Sequence, residues 1–395
     1  MNKKLIIPIV LCTITVIVAI STCIGGGSKI TVSLNPVPAP PESNDSVELR
    51  VYVENSGSMD AYMCAGSDLK DAVYDYISDL NRYSDSCSLN YINSQIIPYN
   101  GDLKSFIKDL TPASFAKAGG DRSNTNLMQI FDSIIKEQKS NTVSVFVSDC
   151  ILDIPQNALD FLGTCQVSIK NTFNEALAKN SRLGVQIIKL DSKFEGYWYC
   201  GTNKEYLKDV MRPYYIWVIG DQRYLAELNK KVPVEDIFGG IKEYCAYATP
   251  QPIPFDVEKK TYIVNHTGKI MVNLLVNLRG SLQHSDILTS NSQFKSANPN
   301  QVTISSVNEI TDDLNIYSHV ITLEISNPKT LKSETVTFSY PYLTNWVTNS
   351  DDTTGMNVKE NLDKTTGLMA LIKGVAEAYK NSTNFGTISF KLKNK

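Results

Sequence analysis

Between Leu49 and Met63 the chain reads LRVYVENSGSMDAYM, and no other stretch restricts the possible folds as much. Leu49, Val51 and Val53 open it as an apolar strand, with Arg50 and Tyr52 between them. The strand gives way at once to a small polar turn, Glu54-Asn55-Ser56-Gly57-Ser58, and a helical pattern begins a few residues later. A carboxylate and two hydroxyls at alternate positions, just past a buried strand, can converge on one point. Oxygen donors of that kind suit a hard cation such as Mg2+. Gly57 lets the backbone turn tightly between the two serines.

Glu54-x-Ser56-x-Ser58 resembles the Asp-x-Ser-x-Ser motif of the metal-ion-dependent adhesion site of the von Willebrand factor A (vWA) family. Two further stretches follow in that family's order. Ser123-Asn124-Thr125-Asn126-Leu127 is similar to its threonine-bearing loop, which opens a helix. Thr142 to Asp149, TVSVFVSD, is similar to its fourth strand, which ends on a metal-site aspartate. The resemblance covers about half the chain. It implies an α/β fold with a mostly parallel, Rossmann-like sheet and helices on both faces. It also implies a divalent cation, Mg2+ or else Mn2+ or Ca2+, held by Glu54, Ser56, Ser58, Thr125 and Asp149. The role implied is binding, not catalysis: a protein partner offers an acidic group to the cation's open position. One departure stands out, because the family has Asp where this chain has Glu54. The extra methylene lets the carboxylate replace a bridging water or crowd the ion out.

The pattern of residues 47–248 points to the same architecture. Asp68 to Arg82 and Leu127 to Glu137 have helical apolar stripes, and a long helical stretch runs from past Pro155 to Lys179. Ser88 to Asn93, Gln95 to Tyr99, Thr142 to Ser148, Gly184 to Leu190 and Tyr214 to Ile219 read as strands. Strands alternating with helices predict a parallel sheet. The connection from Leu190 to Tyr214 is long for such a crossover, even with a short helix near Lys204 to Met211. It carries Phe194, Tyr197, Trp198 and Tyr199, and it leaves from the edge that holds the cation residues. Tyr197, Trp198 and Tyr199 are therefore the candidate partner-binding aromatics. Near Thr249-Pro250-Gln251-Pro252-Ile253-Pro254 the texture changes. Alternating runs at Ile270 to Leu278, His319 to Ile325 and Thr335 to Tyr340 predict a β-rich, sandwich-like domain over 249–395. A helix over Val358 to Tyr379 and a strand over Phe385 to Leu392 close it.

Residues 1–23 read as a signal: Lys3 and Lys4, an apolar run from Leu5 to Ile20, then Ser21-Thr22-Cys23. The end of this segment resembles a bacterial lipobox, which makes Cys23 the lipidated anchor. An uncleaved transmembrane helix is the alternative. Residues 24–46, rich in Gly and then Pro, read as a flexible linker. The protein is thus expected in the cell envelope, outside the cytoplasm and tethered to a membrane. Six cysteines remain (Cys64, Cys87, Cys150, Cys165, Cys200, Cys245); they are either disulfides, with 15 possible connectivities, or buried thiols. Net charge is −3 with no basic patch, which argues against nucleic acid. ENSGSMD lacks the G-x-S-x-G elbow of a serine nucleophile, and all three histidines (His266, His284, His319) lie far off in sequence. Metal-assisted hydrolysis would need a base such as Asp60 or Asp153, so a hydrolase ranks third. It follows the binding role and a structural envelope scaffold with a degenerate site.

Overall fold

A computed structural model describes residues 28–34, 46–123, 126–155, 158–311, 316–379 and 384–394. The signal segment with Cys23 lies outside the described residues, and so does Thr125. Among the described residues no helix is long and apolar enough to cross a membrane.

The first strand, β1 (Lys29–Leu34), stands where a flexible linker was expected. Its alternate residues Ile30 and Val32 are buried. It pairs antiparallel with Thr261–Ile263 on one side and Asn384–Asn394 on the other. The period-two pattern of KITVSL thus finds partners nearly the whole chain away.

A seven-stranded sheet carries the Glu54 turn. Its strands are β2 (Glu48–Glu54), β3 (Ser86–Ile92), β4 (Ile96–Pro98), β5 (Thr142–Ser148), β6 (Leu183–Cys200), β7 (Asn203–Asp221) and β8 (Glu243–Tyr247), in the order β4-β3-β2-β5-β7-β6-β8. The β2–β3 and β2–β5 pairs are parallel. The remaining pairs, β3–β4, β5–β7, β6–β7 and β6–β8, are antiparallel. This corrects the expectation of a mostly parallel, Rossmann-like sheet: the sheet is mixed, and the two larger sheets of the C-terminal half are antiparallel, with only the short pair Asp351–Asp352 and Thr365–Thr366 parallel there among the described residues.

The cause of the difference is local. No crossover joins Leu190 to Tyr214. The chain continues from β6 into β7 through the two residues Gly201 and Thr202, so that Cys200 faces Asn203 and β7 returns antiparallel. The helix expected near Lys204 to Met211 is strand. In sequence the alternation is present: Leu190, Ser192 and Phe194 are buried, then Trp198 and Cys200. The extra residue falls on the returning limb, where Leu207 to Val210 spans one residue more than Gly196 to Phe194 and Asp209 takes φ 55°; there the period is broken and the strand is hidden.

The outer part of this hairpin, beyond Leu190 and Tyr214, extends past the sheet edge as an arm. It lies over the 3-10 turn Ser58–Met63. Phe194 meets Tyr62 edge-on at 5.0 Å between ring centroids. A Cβ on Gly196 would stand 2.7 Å from the Ala61 methyl, at φ +158°, so only glycine allows the arm to come this close.

Helices α1 (Leu69–Asn81), α2 (Leu103–Lys108), α3 (Pro112–Ala118), α4 (Leu127–Glu137) and α5 (Ala158–Lys179) belong to this part of the chain. The C-terminal half forms a five-stranded and a four-stranded sheet. The latter includes Val302–Glu309, a strand whose pattern, VTISSVNE, is too polar to stand out in sequence. The late helix Leu368–Ala378 is shorter than expected; Gln166 of α5 donates to Glu377 at 2.8 Å, and Lys170 of α5 pairs with the same carboxylate at 3.2 Å. All six described cysteines are free thiols, with Cys150, Cys165, Cys200 and Cys245 buried.

Candidate cation site

Strands β2 and β5 run side by side in register, Val53 opposite Val147, so their carboxyl ends deliver Glu54 and Ser148 to the same point. Both strands are apolar and buried almost throughout, as the central strands of a sheet must be. The Ser148 hydroxyl donates to Glu54 Oε2. Its oxygen in turn accepts the Cys150 amide at 2.7 Å. Cys150 sits at φ 54°, in the left-handed region, and this turns the chain sharply just after Asp149.

The Ser56 and Ser58 hydroxyls lie 3.1 Å apart and are buried. Each serine faces one carboxyl and favours its charged form, Ser56 that of Glu54 and Ser58 that of Asp149. Asp149 is 1% exposed and Glu54 2%. Asp149 Oδ1 accepts the Ile151 amide at 3.4 Å, while its Oδ2 is buried without a partner. Four of the five sequence-predicted ligands, Glu54, Ser56, Ser58 and Asp149, therefore form one buried cluster. Asn126, next to Thr125, caps α4 by accepting the Met128 amide at 3.1 Å.

The electrostatics of the cluster are strained. Burial pushes the Glu54 carboxyl up to about 8, the Asp149 charge pushes the same way, and the hydrogen bonds from Ser148 and Ser56 oppose them. Burial also raises Asp149, against the hydrogen bonds from Ser58 and the Ile151 amide and the attraction of Arg212. Two buried carboxyls so placed do not both carry charge without a counter-ion. The donor set fits a hard divalent cation: two hydroxyls and two carboxylates, one of which has an oxygen without a hydrogen-bond partner. Among the described residues no three His, Cys, Asp or Glu side chains group to hold a metal. A cation here would depend on the serines.

A pH test follows from the Glu54 shift. A carboxyl raised in the folded state stabilises most when protonated; its contribution is full below the ordinary 4.5 and lost as pH rises toward about 8. In chelator, stability is expected to fall across that window by on the order of a few kcal/mol. Glu54→Gln should flatten the slope, as read by urea titration at a series of pH values. Identical slopes for the parent and Glu54→Gln would contradict the placement of Glu54.

The aromatics of the arm divide. Tyr197 is 47% exposed, with Lys204 Nζ 4.0 Å from its ring centre. Tyr199 packs against the site, its ring 3.7 Å from where a Gly57 Cβ would stand. Trp198 is 1% exposed, on the inner face of β6. It is a core residue, not the partner-binding aromatic expected, because alternation along a strand puts it opposite to Tyr197. Beyond the arm tip, Gly201 donates its amide to Asp153 at 3.0 Å. A cavity of about 770 Å³ opens there, lined among others by Asn126, Leu127, Leu152, Asp153, Phe161 and Asn203.

Three residues of the site had no signature in sequence. Ser148 matters only because the register puts it beside Glu54. Arg212 comes from the returning limb of the hairpin. Arg122 reaches the Ser56 turn across a loop. A comparison with protein-family models, with curated proteins and with solved structures found no match to this chain.

Proposed function

We propose that this is an extracytoplasmic binding protein, tethered to a membrane through its N-terminal segment at Cys23, that engages a protein partner through a divalent cation. The observation that carries the reading is the unpartnered, buried Asp149 Oδ2 beside the hydrogen-bonded Ser56 and Ser58 hydroxyls. Glu54, Ser56, Ser58 and Asp149 are the residues that would hold Mg2+ or a similar ion, with Thr125 as the fifth. Such an ion, once bound, would offer an open position to a carboxylate. The chain's own residues orient and bury the donors; the arm, through Tyr199 and Tyr197, flanks them. The resemblance to the vWA family is one of these loops alone.

A structural scaffold is the second reading, and Arg212 favours it. Its guanidinium is buried and attracts Asp149, so it partly supplies the positive charge that a cation would otherwise bring. A pulldown separates the two. Immobilised protein should retain a partner from envelope extract with Mg2+ present and release it to chelator, whereas Asp149→Ala should retain nothing. Retention that ignores both chelator and Asp149→Ala would favour the scaffold.

A further inference from the structure

We propose that Arg122 positions the cation-binding turn, locking it to the loop that leads into Thr125; this rests on the cation reading above. Arg122 Nε donates to the Asn55 carbonyl at 2.7 Å. Its Nη2 donates to the Ser56 carbonyl at 3.2 Å and to Asp60 Oδ1 at 2.5 Å. The guanidinium also stands over the Phe115 ring, 5.9 Å from its centre. In return the Arg122 carbonyl accepts the Gly57 amide at 3.2 Å. One residue therefore grips the peptides of Asn55 and Ser56 from the side chain, Gly57 from the backbone, and the following turn through Asp60.

The grip matters because a short turn without side-chain packing of its own is held by its backbone hydrogen bonds. Asn55 and Ser56 are buried, so their carbonyls need a donor from the protein. Arginine suits the task. Its planar fork satisfies two carbonyls and a carboxylate at once, and it stays charged at every working pH; a lysine ammonium has no such fork. Asp60 aims the fork, since the ion pair is only part-buried, with 20% and 33% of the two side chains exposed. Thr125 follows Arg122 by three residues in sequence. The same residue thus ties the turn bearing Ser56 and Ser58 to the chain three residues ahead of the fifth proposed ligand.

The test is Mn2+ binding followed by electron paramagnetic resonance, with the melting temperature in chelator measured alongside. Arg122→Ala and Arg122→Lys should both weaken Mn2+ affinity by roughly 10–100-fold, as loss of a group that orients ligands does. Asp60→Asn should weaken it in the same direction and less. Ethylguanidinium should restore part of the affinity of Arg122→Ala and leave the parent unchanged. Affinity unchanged in both Arg122 variants, with a parent that binds, would overturn this proposal alone. So would an affinity loss that merely tracks the loss of folded protein in chelator, or a failure of ethylguanidinium to restore any affinity to folded Arg122→Ala. A parent that binds no Mn2+ would overturn the cation reading and this proposal with it.

Discussion

Trp198→Ala is expected to destabilise the protein by about 3–5 kcal/mol, the range for removing a large buried aromatic. The side chain is 1% exposed and sits on the limb of the arm that covers the Ser58–Met63 turn. Its removal leaves a cavity in the arm, whose close approach to the turn depends on Gly196 against Ala61. The indole N–H has no partner, so no hydrogen bond is lost and the effect is one of packing. Urea unfolding should show a lower midpoint. Tyr197→Ala, on the opposite face of the same strand, should move stability by no more than about 0.5 kcal/mol. If the two substitutions behaved alike, the burial of Trp198 would be wrong.

Arg212→Ala should destabilise by a comparable amount, about 3–5 kcal/mol, because it removes a buried guanidinium and leaves two carbonyls without their charged donor. Arg212 Nη1 donates to the carbonyls of Asn361 and Leu362, both at 3.2 Å. Nearby, Lys189 Nζ donates to Ser350 Oγ at 2.8 Å and to the Asp363 carbonyl at 3.1 Å. Tyr215 donates to Thr365 Oγ1 at 3.0 Å. Residues 350–365 are thus pinned to β6 and β7 by long polar side chains from those strands. Loss of Arg212 strips two of these anchors and removes a positive charge that attracts the Asp149 carboxyl, whose affinity for a proton should rise. Chemical unfolding reads the first effect. If Arg212→Ala unfolded at the parent's midpoint, the strap would be held by other means.

What the amino-acid sequence made legible was local. Apolar runs ending in small polar turns marked β2 and β5 as strands, and their parallel register brings Glu54 and Asp149 together as their motifs suggested. The seven-stranded sheet went astray at one point. From Leu183 to Asp221 the chain makes a single long hairpin, and a bulge near Asp209 on its returning limb disrupts the alternation that would have revealed it. A Gly-Thr turn between aromatic runs was the remaining sign. β1 was hidden for a different reason. A six-residue strand between glycines and prolines looks like linker unless its distant partner, Asn384–Asn394, is known. Arg122 illustrates a third limit. Its role comes from a fork of hydrogen bonds to backbone carbonyls, and backbone acceptors carry no sequence signal.

Calorimetric titration of Mg2+ into chelator-stripped protein decides whether Glu54, Ser56, Ser58 and Asp149 hold a divalent cation. The parent should give a saturable, single-site heat and Asp149→Ala none, with both proteins folded. No heat from the parent, or the same heat from Asp149→Ala, would rule the site out.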